Sequence, residues 1–241
     1  MTLPRESATG HSGFAAMAGR PALLGLVLLS WWHPALADFS LVLTGTTNYL
    51  YRGFSKSDNK PTIRLNLDYG HDSGIYLGTW VSRVDFGDSE KEFDDPARVE
   101  ISPYLGWARG FRHDWTLEAF YTRYIYAGKI FGHSADYHEF YGLLHFRDLV
   151  TATVAWSPNI YGQRQTALAL EGEACYPLLG NLEFAAGIGY SRLKDALEYN
   201  YLYWNSGFTW YPHRYLTLDL RYYQSAHAKS KTMKNPWPYD P

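Results

Sequence analysis

From Phe39 almost to the C-terminus the chain alternates apolar and polar residues with a period of two, and no stretch carries a convincing helical repeat. In TIRLNLDYG, residues 62–70, Ile63, Leu65, Leu67 and Tyr69 fall on one side of an extended backbone. Thr62, Arg64, Asn66 and Asp68 fall on the other. The pattern predicts an all-β chain with eleven legible strands. The first runs from Phe39 to Gly53 and sets Phe39, Leu41, Leu43, Tyr49 and Tyr51 against Ser40, Thr44, Thr46, Asn48 and Arg52. TIRLNLDYG, Ile75 to Phe86, Ala97 to Trp107, Trp115 to Tyr126 and Tyr137 to Phe146 follow. Five more begin near Val150, Leu168, Leu182, Tyr203 and Leu216.

The connections between these strands alternate in length. His71 to Gly74, Arg109 to His113, Arg147-Asp148, Pro177 to Asn181 and Pro212 to Arg214 are short. Ser55 to Pro61, Gly87 to Pro96, Ala127 to Asp136, Pro158 to Gln165 and Leu193 to Asn200 are longer and more polar. A soluble sandwich buries the apolar side of such strands against a second sheet, whereas a membrane barrel turns the same side toward lipid. Alternation alone does not choose between them. Sorted loops favour the barrel, as do aromatic residues near strand ends, in a chain with 21 Tyr and 9 Trp.

The N-terminus adds a third argument. Arg5 and Arg20 precede the apolar run Ala22 to Leu29, and Ala35-Leu36-Ala37 forms a small-residue cleavage site. Residues 1–37 are therefore expected to be a signal peptide, 38–224 an outer-membrane barrel, and 225–241 a C-terminal tail or irregular closing strand. No later stretch approaches the ~20 apolar residues that a membrane helix needs. The formal charge of −2 gives no reason to expect nucleic acid as a partner. Cys175 is the only cysteine, so no disulfide can form within the chain.

Residues 43–88 resemble a known family. The matching elements are Asn48-Tyr49 with Tyr51-Arg52-Gly53, Ser57-Asp58-Asn59-Lys60-Pro61, Asp68-Tyr69 with Ser73-Gly74, and Ser82 with Val84-Asp85-Phe86. Weaker echoes occur at Tyr137-Glu139-Tyr141, Trp156-Ser157-Pro158 with Tyr161-Gly162, and Gly187 to Ser191. The chain is similar here to the TorF-type porins, exported Gram-negative outer-membrane barrels. The resemblance implies a barrel and a pore, and supplies no catalytic residues. It also implies an aromatic C-terminal residue, whereas this chain ends in the proline-bearing SAHAKSKTMKNPWPYDP.

The expected fold is an antiparallel transmembrane up-and-down β-barrel of about twelve strands. Its lumen-facing candidates are Arg64, Asp68, Arg98, Glu100, Glu118, Glu139, Glu171, Glu173, Glu183, Asp219 and Arg221. Their acidic excess predicts a narrow, weakly cation-preferring passive channel for small solutes or ions, embedded in outer-membrane lipid. A non-conducting structural or ligand-binding barrel, braced by ion pairs among these residues, is the alternative; a lipid-modifying enzyme is a third class. No cofactor, metal or catalytic residue is expected. The acidic stretch Asp85, Asp88, Glu90, Glu92, Asp94 and Asp95 has no EF-hand spacing. His133, Asp136, His138 and Glu139 match no hydrolase motif, and His138 and Glu139 fall on opposite faces of one strand.

Overall fold

The computed structural model describes residues 23–27, 37–87, 93–197 and 199–227. Its strands are β1 (Leu23–Val27), β2 (Ala37–Thr46), β3 (Leu50–Tyr51), β4 (Phe54–Ser55), β5 (Thr62–His71), β6 (Ile75–Arg83) and β7 (Val99–Phe111). These are followed by β8 (Trp115–Ala127), β9 (Tyr137–Phe146), β10 (Val150–Ser157), β11 (Ala167–Leu179), β12 (Leu182–Arg192), β13 (Asn200–His213) and β14 (Leu216–His227). A single-turn helix, Lys194–Leu197, lies between β12 and β13. The eleven long strands β2 and β5 to β14 make one antiparallel up-and-down sheet, each hydrogen-bonded to the next in sequence. The short β1 pairs with both edges, Leu26 facing Leu43 of β2 and Leu216 of β14.

Antiparallel pairing puts all the tight connections at one end of the sheet and all the longer ones at the other. At the tight end, backbone positions with positive φ reverse the chain: Gly74 at 86°, Arg112 at 51° and Arg147 at 50°. Several boundaries differ from the sequence reading, the strand from Ile75 ending at Arg83 rather than Phe86 and the next running to Phe111 rather than Trp107. The first strand stops at Thr46 instead of Gly53, Ala97 and Arg98 precede β7, and β14 runs on through Ser225 and Ala226 to His227. Predicted tail residues 228–241, with any closing strand there, lie outside the described residues, as does most of the leader.

The burial pattern is inverted relative to a water-soluble core. On one face Leu220 is 75% exposed, Phe39 69% and Ile63 61%, in company with Leu67, Leu105, Val154, Ile188 and Phe208. On the other face Glu139 and Thr122 are 0% exposed, and Glu100, Ser102, Glu118 and Ser157 are buried with them. Tyrosine makes this polar inner face close-packed. A ring lies flat over a glycine directly opposite it on the neighbouring strand: Tyr76 over Gly106, Tyr104 over Gly78, and Tyr203 over Gly189. A Cβ at Gly106 would sit 2.3 Å from the Tyr76 ring, so these glycines are the seats that let the rings lie against the wall.

Candidate functional site

The stretch after β2 does not continue the sheet. It turns inward, and the short strands β3 and β4 form a hairpin packed against the inner face. Leu50 pairs with Ser55 and Tyr51 with Phe54, leaving the two-residue turn Arg52-Gly53 with φ of 48° and 85°. Positive φ at both positions is the type I′ geometry of tight hairpins. Gly53 meets the requirement freely; Arg52 adopts it at a cost of about 1–2 kcal/mol. A Cβ on Gly53 would lie 3.0 Å from Cβ of Ser225 on β14 and 3.1 Å from that of Tyr203 on β13. The base of the hairpin is pinned by side chains. Asn48 Oδ1 accepts from Ser55 Oγ at 2.6 Å and from Ser57 Oγ at 3.2 Å, while Tyr49 N–H donates to Ser57 Oγ at 2.9 Å.

Two cations on this hairpin meet carboxylates on the wall. Lys56, 0% exposed, donates from Nζ to Glu100 Oε2 of β7 at 2.6 Å and to Tyr126 Oη of β8 at 3.1 Å. Tyrosine rings surround its ammonium, with centroids of Tyr51 at 4.2 Å, Tyr124 at 4.8 Å, and Tyr49 and Tyr126 each at 5.6 Å. Arg52 donates from Nη1 to Glu139 Oε1 of β9 at 2.6 Å and from Nη2 to Tyr141 Oη at 3.3 Å, and its Nε lies 3.9 Å from Glu171 Oε1 of β11. The hairpin tyrosines add to both sites. Tyr49 Oη donates to Glu100 Oε1 at 2.8 Å and Tyr51 Oη to Glu139 Oε2 at 2.7 Å. Beyond the turn, Arg52, Thr151, Glu171, Glu173, Asn205 and Tyr223 are among the residues that border a small cavity of about 60 Å³.

Ten of the predicted inner-face residues belong to strands, and the structure gives them partners. Arg64 stacks over the Tyr49 ring at 4.3 Å and donates to Ser82 Oγ at 3.1 Å. Asp68 accepts from Ser40 Oγ at 3.2 Å and from Asn66. Glu118 accepts from Tyr76 and lies 2.9 Å from His145 Nε2. Tyr203 donates to Glu171 at 2.6 Å. Arg221 joins Asp219 at 3.0 Å and Glu173 at 3.7 Å, while Thr209 donates to Asp219 at 2.6 Å. Glu183 lies toward the tight-turn end, level with Thr209 on the adjoining strand.

Arg98 is the correction. It precedes β7 and reaches Asp85 in the connecting loop at 3.5 Å, with a side chain 42% exposed. Lys60 approaches Asp85 at 3.2 Å and Asp58 at 2.7 Å. Partial burial raises the Asp85 pKa, but the Gly87 N–H, Lys60 and Arg98 outweigh it and hold the carboxyl below the ordinary carboxylate range. The other acidic residues of this stretch are Asp94 and Asp95, which are exposed, and Asp88, Glu90 and Glu92, which lie outside the described residues. Among the described residues no three His, Cys, Asp or Glu side chains converge as a metal site. His138 stacks on Tyr121, on the face opposite Glu139, and Asp136 accepts from the Tyr126 N–H.

Sequence reasoning missed Lys56, which lies on the connection, and set Arg52 on the polar side of a first strand that the structure ends at Thr46, without counting it among the inner-face residues. The geometry defines a class: an all-β protein built as one antiparallel up-and-down sheet, with an apolar outer face and an inner face on which an inserted hairpin pairs two of the carboxylates, Glu100 and Glu139. The chain belongs to a family of bacterial proteins of unknown function, Gcw_chp, whose family model matches residues 35–236. No curated protein matches it.

Proposed function

We propose that this protein is an exported β-barrel of the bacterial outer membrane, a channel for small cationic solutes that the β3–β4 hairpin holds shut at rest. The reading rests on one observation above all: apolar residues of every long strand face outward while Glu100, Glu118, Glu139 and a set of threonines and tyrosines are buried. Water penalises that arrangement and hydrocarbon rewards it, because peptide groups are satisfied strand to strand and the apolar face needs no second layer. Pairing of β1 with both sheet edges and the span of the hairpin from β7 to β14 support closure into a barrel. Sorted connections, the leader-like N-terminus and the likeness to TorF-type porins favour the same reading.

The hairpin changes what the inner acids mean. Counted on strands alone they predict a cation-selective lumen; with Lys56 and Arg52 added, Glu100 and Glu139 are paired and the hairpin forms a close-packed partition across it. We infer that passage requires the hairpin to move. The protein refolded into planar bilayers is expected to be silent or to open rarely, and replacing residues 50–56 with a glycine-serine bridge, which removes both Arg52 and Lys56, is expected to give a steady, cation-preferring conductance. A shortened variant that inserts into bilayers yet stays silent would favour the non-conducting barrel instead.

A further inference from the structure

The way charge is balanced differs between levels of the inner face. Asp219 is paired by Arg221 two residues along the same strand, and Glu118 has a hydrogen-bond partner in His145 on the adjoining strand. These pairs belong to the wall and persist whatever the hairpin does. Glu100 and Glu139 are buried equally deeply, yet their ion pairs are to Lys56 and Arg52, both carried by the inserted segment. A buried carboxylate deprived of its cation is strongly destabilising. Withdrawal of the hairpin therefore leaves two wall sites that demand cations.

Their chemistry is specific. At Glu100 the wall offers one carboxylate, the Tyr126 hydroxyl 3.1 Å from the ammonium, and the rings of Tyr124 and Tyr126. Tyrosine faces attract a weakly hydrated organic ammonium through their quadrupole and favour it over a small inorganic ion that holds its water. At Glu139 a carboxylate and the Tyr141 hydroxyl receive separate guanidinium nitrogens, the fork geometry of an arginine site.

We propose that Lys56 and Arg52 are surrogate ligands, and that the Glu100 and Glu139 sites bind small organic cations: a primary alkylammonium at the first and a guanidinium at the second. Such solutes compete with the hairpin for its own seats and so open the path they pass through. This deepens the channel reading and rests on it for its physiological meaning, although occupancy of the two sites can be measured without any conductance.

Chemical rescue tests the assignment. Full-length Lys56→Ala and Arg52→Ala variants are folded in detergent, and their thermal unfolding is followed with ethylammonium, methylguanidinium or sodium at equal ionic strength. Ethylammonium is expected to restore Lys56→Ala, and methylguanidinium Arg52→Ala, at concentrations on the order of tenfold below any effect of sodium. The mismatched pairs restore less, and Lys56→Met, which fills the space with an uncharged chain, gains nothing. Equal response to ethylammonium and sodium, or equal rescue of Lys56→Met, overturns the proposal. Should the alanine variants fail to fold, unmodified protein in bilayers decides. Alkylammonium at constant ionic strength is expected to raise the opening frequency on the order of tenfold, and no change relative to sodium overturns it. A conducting hairpin-replaced variant beside an unresponsive parent rejects the ligand assignment alone; a silent replaced variant rejects the channel, and rescue then decides the sites.

Discussion

Lys56 and Glu100 invite a double-mutant cycle, because both side chains are almost wholly removed from solvent and meet at 2.6 Å. Removing one partner of a buried pair costs about 3–5 kcal/mol, since the other charge stays behind without compensation. Here the lower end applies. Glu100 keeps the Tyr49 hydroxyl at 2.8 Å when Lys56→Met is made, and Lys56 keeps the Tyr126 hydroxyl when Glu100→Gln is made. Each single variant should lose about 3 kcal/mol. The double variant leaves no uncompensated charge, so its loss should not exceed that of either single variant, about 3 kcal/mol at most, rather than the roughly 6 kcal/mol of the sum. Urea unfolding of protein refolded into lipid vesicles, followed by tryptophan fluorescence, measures all four corners. Additive losses would refute the claim that the hairpin is locked to the wall by charge.

Three further outcomes follow from other parts of the structure. Gly106→Ala places a methyl 2.3 Å from the Tyr76 ring and should destabilise by about 1–3 kcal/mol, with partial recovery when Tyr76→Val removes the ring; unfolding midpoints of the single and double variants check this. Leu220→Arg, on a side chain 75% exposed, should be almost silent if that face meets water. If it meets lipid, stability in vesicles should fall by up to about 2–4 kcal/mol, as titration in vesicles would reveal. Asp85 has a folded-state pKa below its unfolded value, so its contribution is complete at neutral pH and fades as pH drops through the lowered value. Proteolysis of the Gly87–Pro96 loop should therefore accelerate in acid, and Asp85→Asn should abolish that acid dependence.

Strand existence and facing were legible because period two is enforced wherever the two sides of a strand meet different surroundings. Glu100, Glu118, Glu139 and Asp219 are all buried on the face opposite the apolar one for this reason. The hairpin was not legible, since the alternation of Phe39 to Thr46 runs on in phase through Tyr49 and Tyr51, and parity cannot report that the backbone has left the sheet. The turn signal was weak as well. Arginine is a poor occupant of positive φ, so only Gly53 and the Ser57-Asp58-Asn59 cluster marked a reversal. Treating the connection after that strand as external left Lys56 out of the inner charge balance, and Arg52, set on the polar side of the strand, was not counted in it either; the acidic excess persists with both added but is smaller where the hairpin sits. Arg98 erred in the other direction: its parity was right, but its strand had not yet begun.

The five-residue segment Leu23–Val27 occupies the slot between the first and last long strands, yet it lies upstream of Ala37 and outside the stretch matched by the family model. Cutting the chain after Ala37, as the leader reading proposes, carries that stave away and bares unpaired amides and carbonyls along two facing rims. Were that cut made, trimming and sealing would be one coupled event: until another extended segment took the empty berth, the shortened chain would offer its seam to a neighbour as readily as to itself.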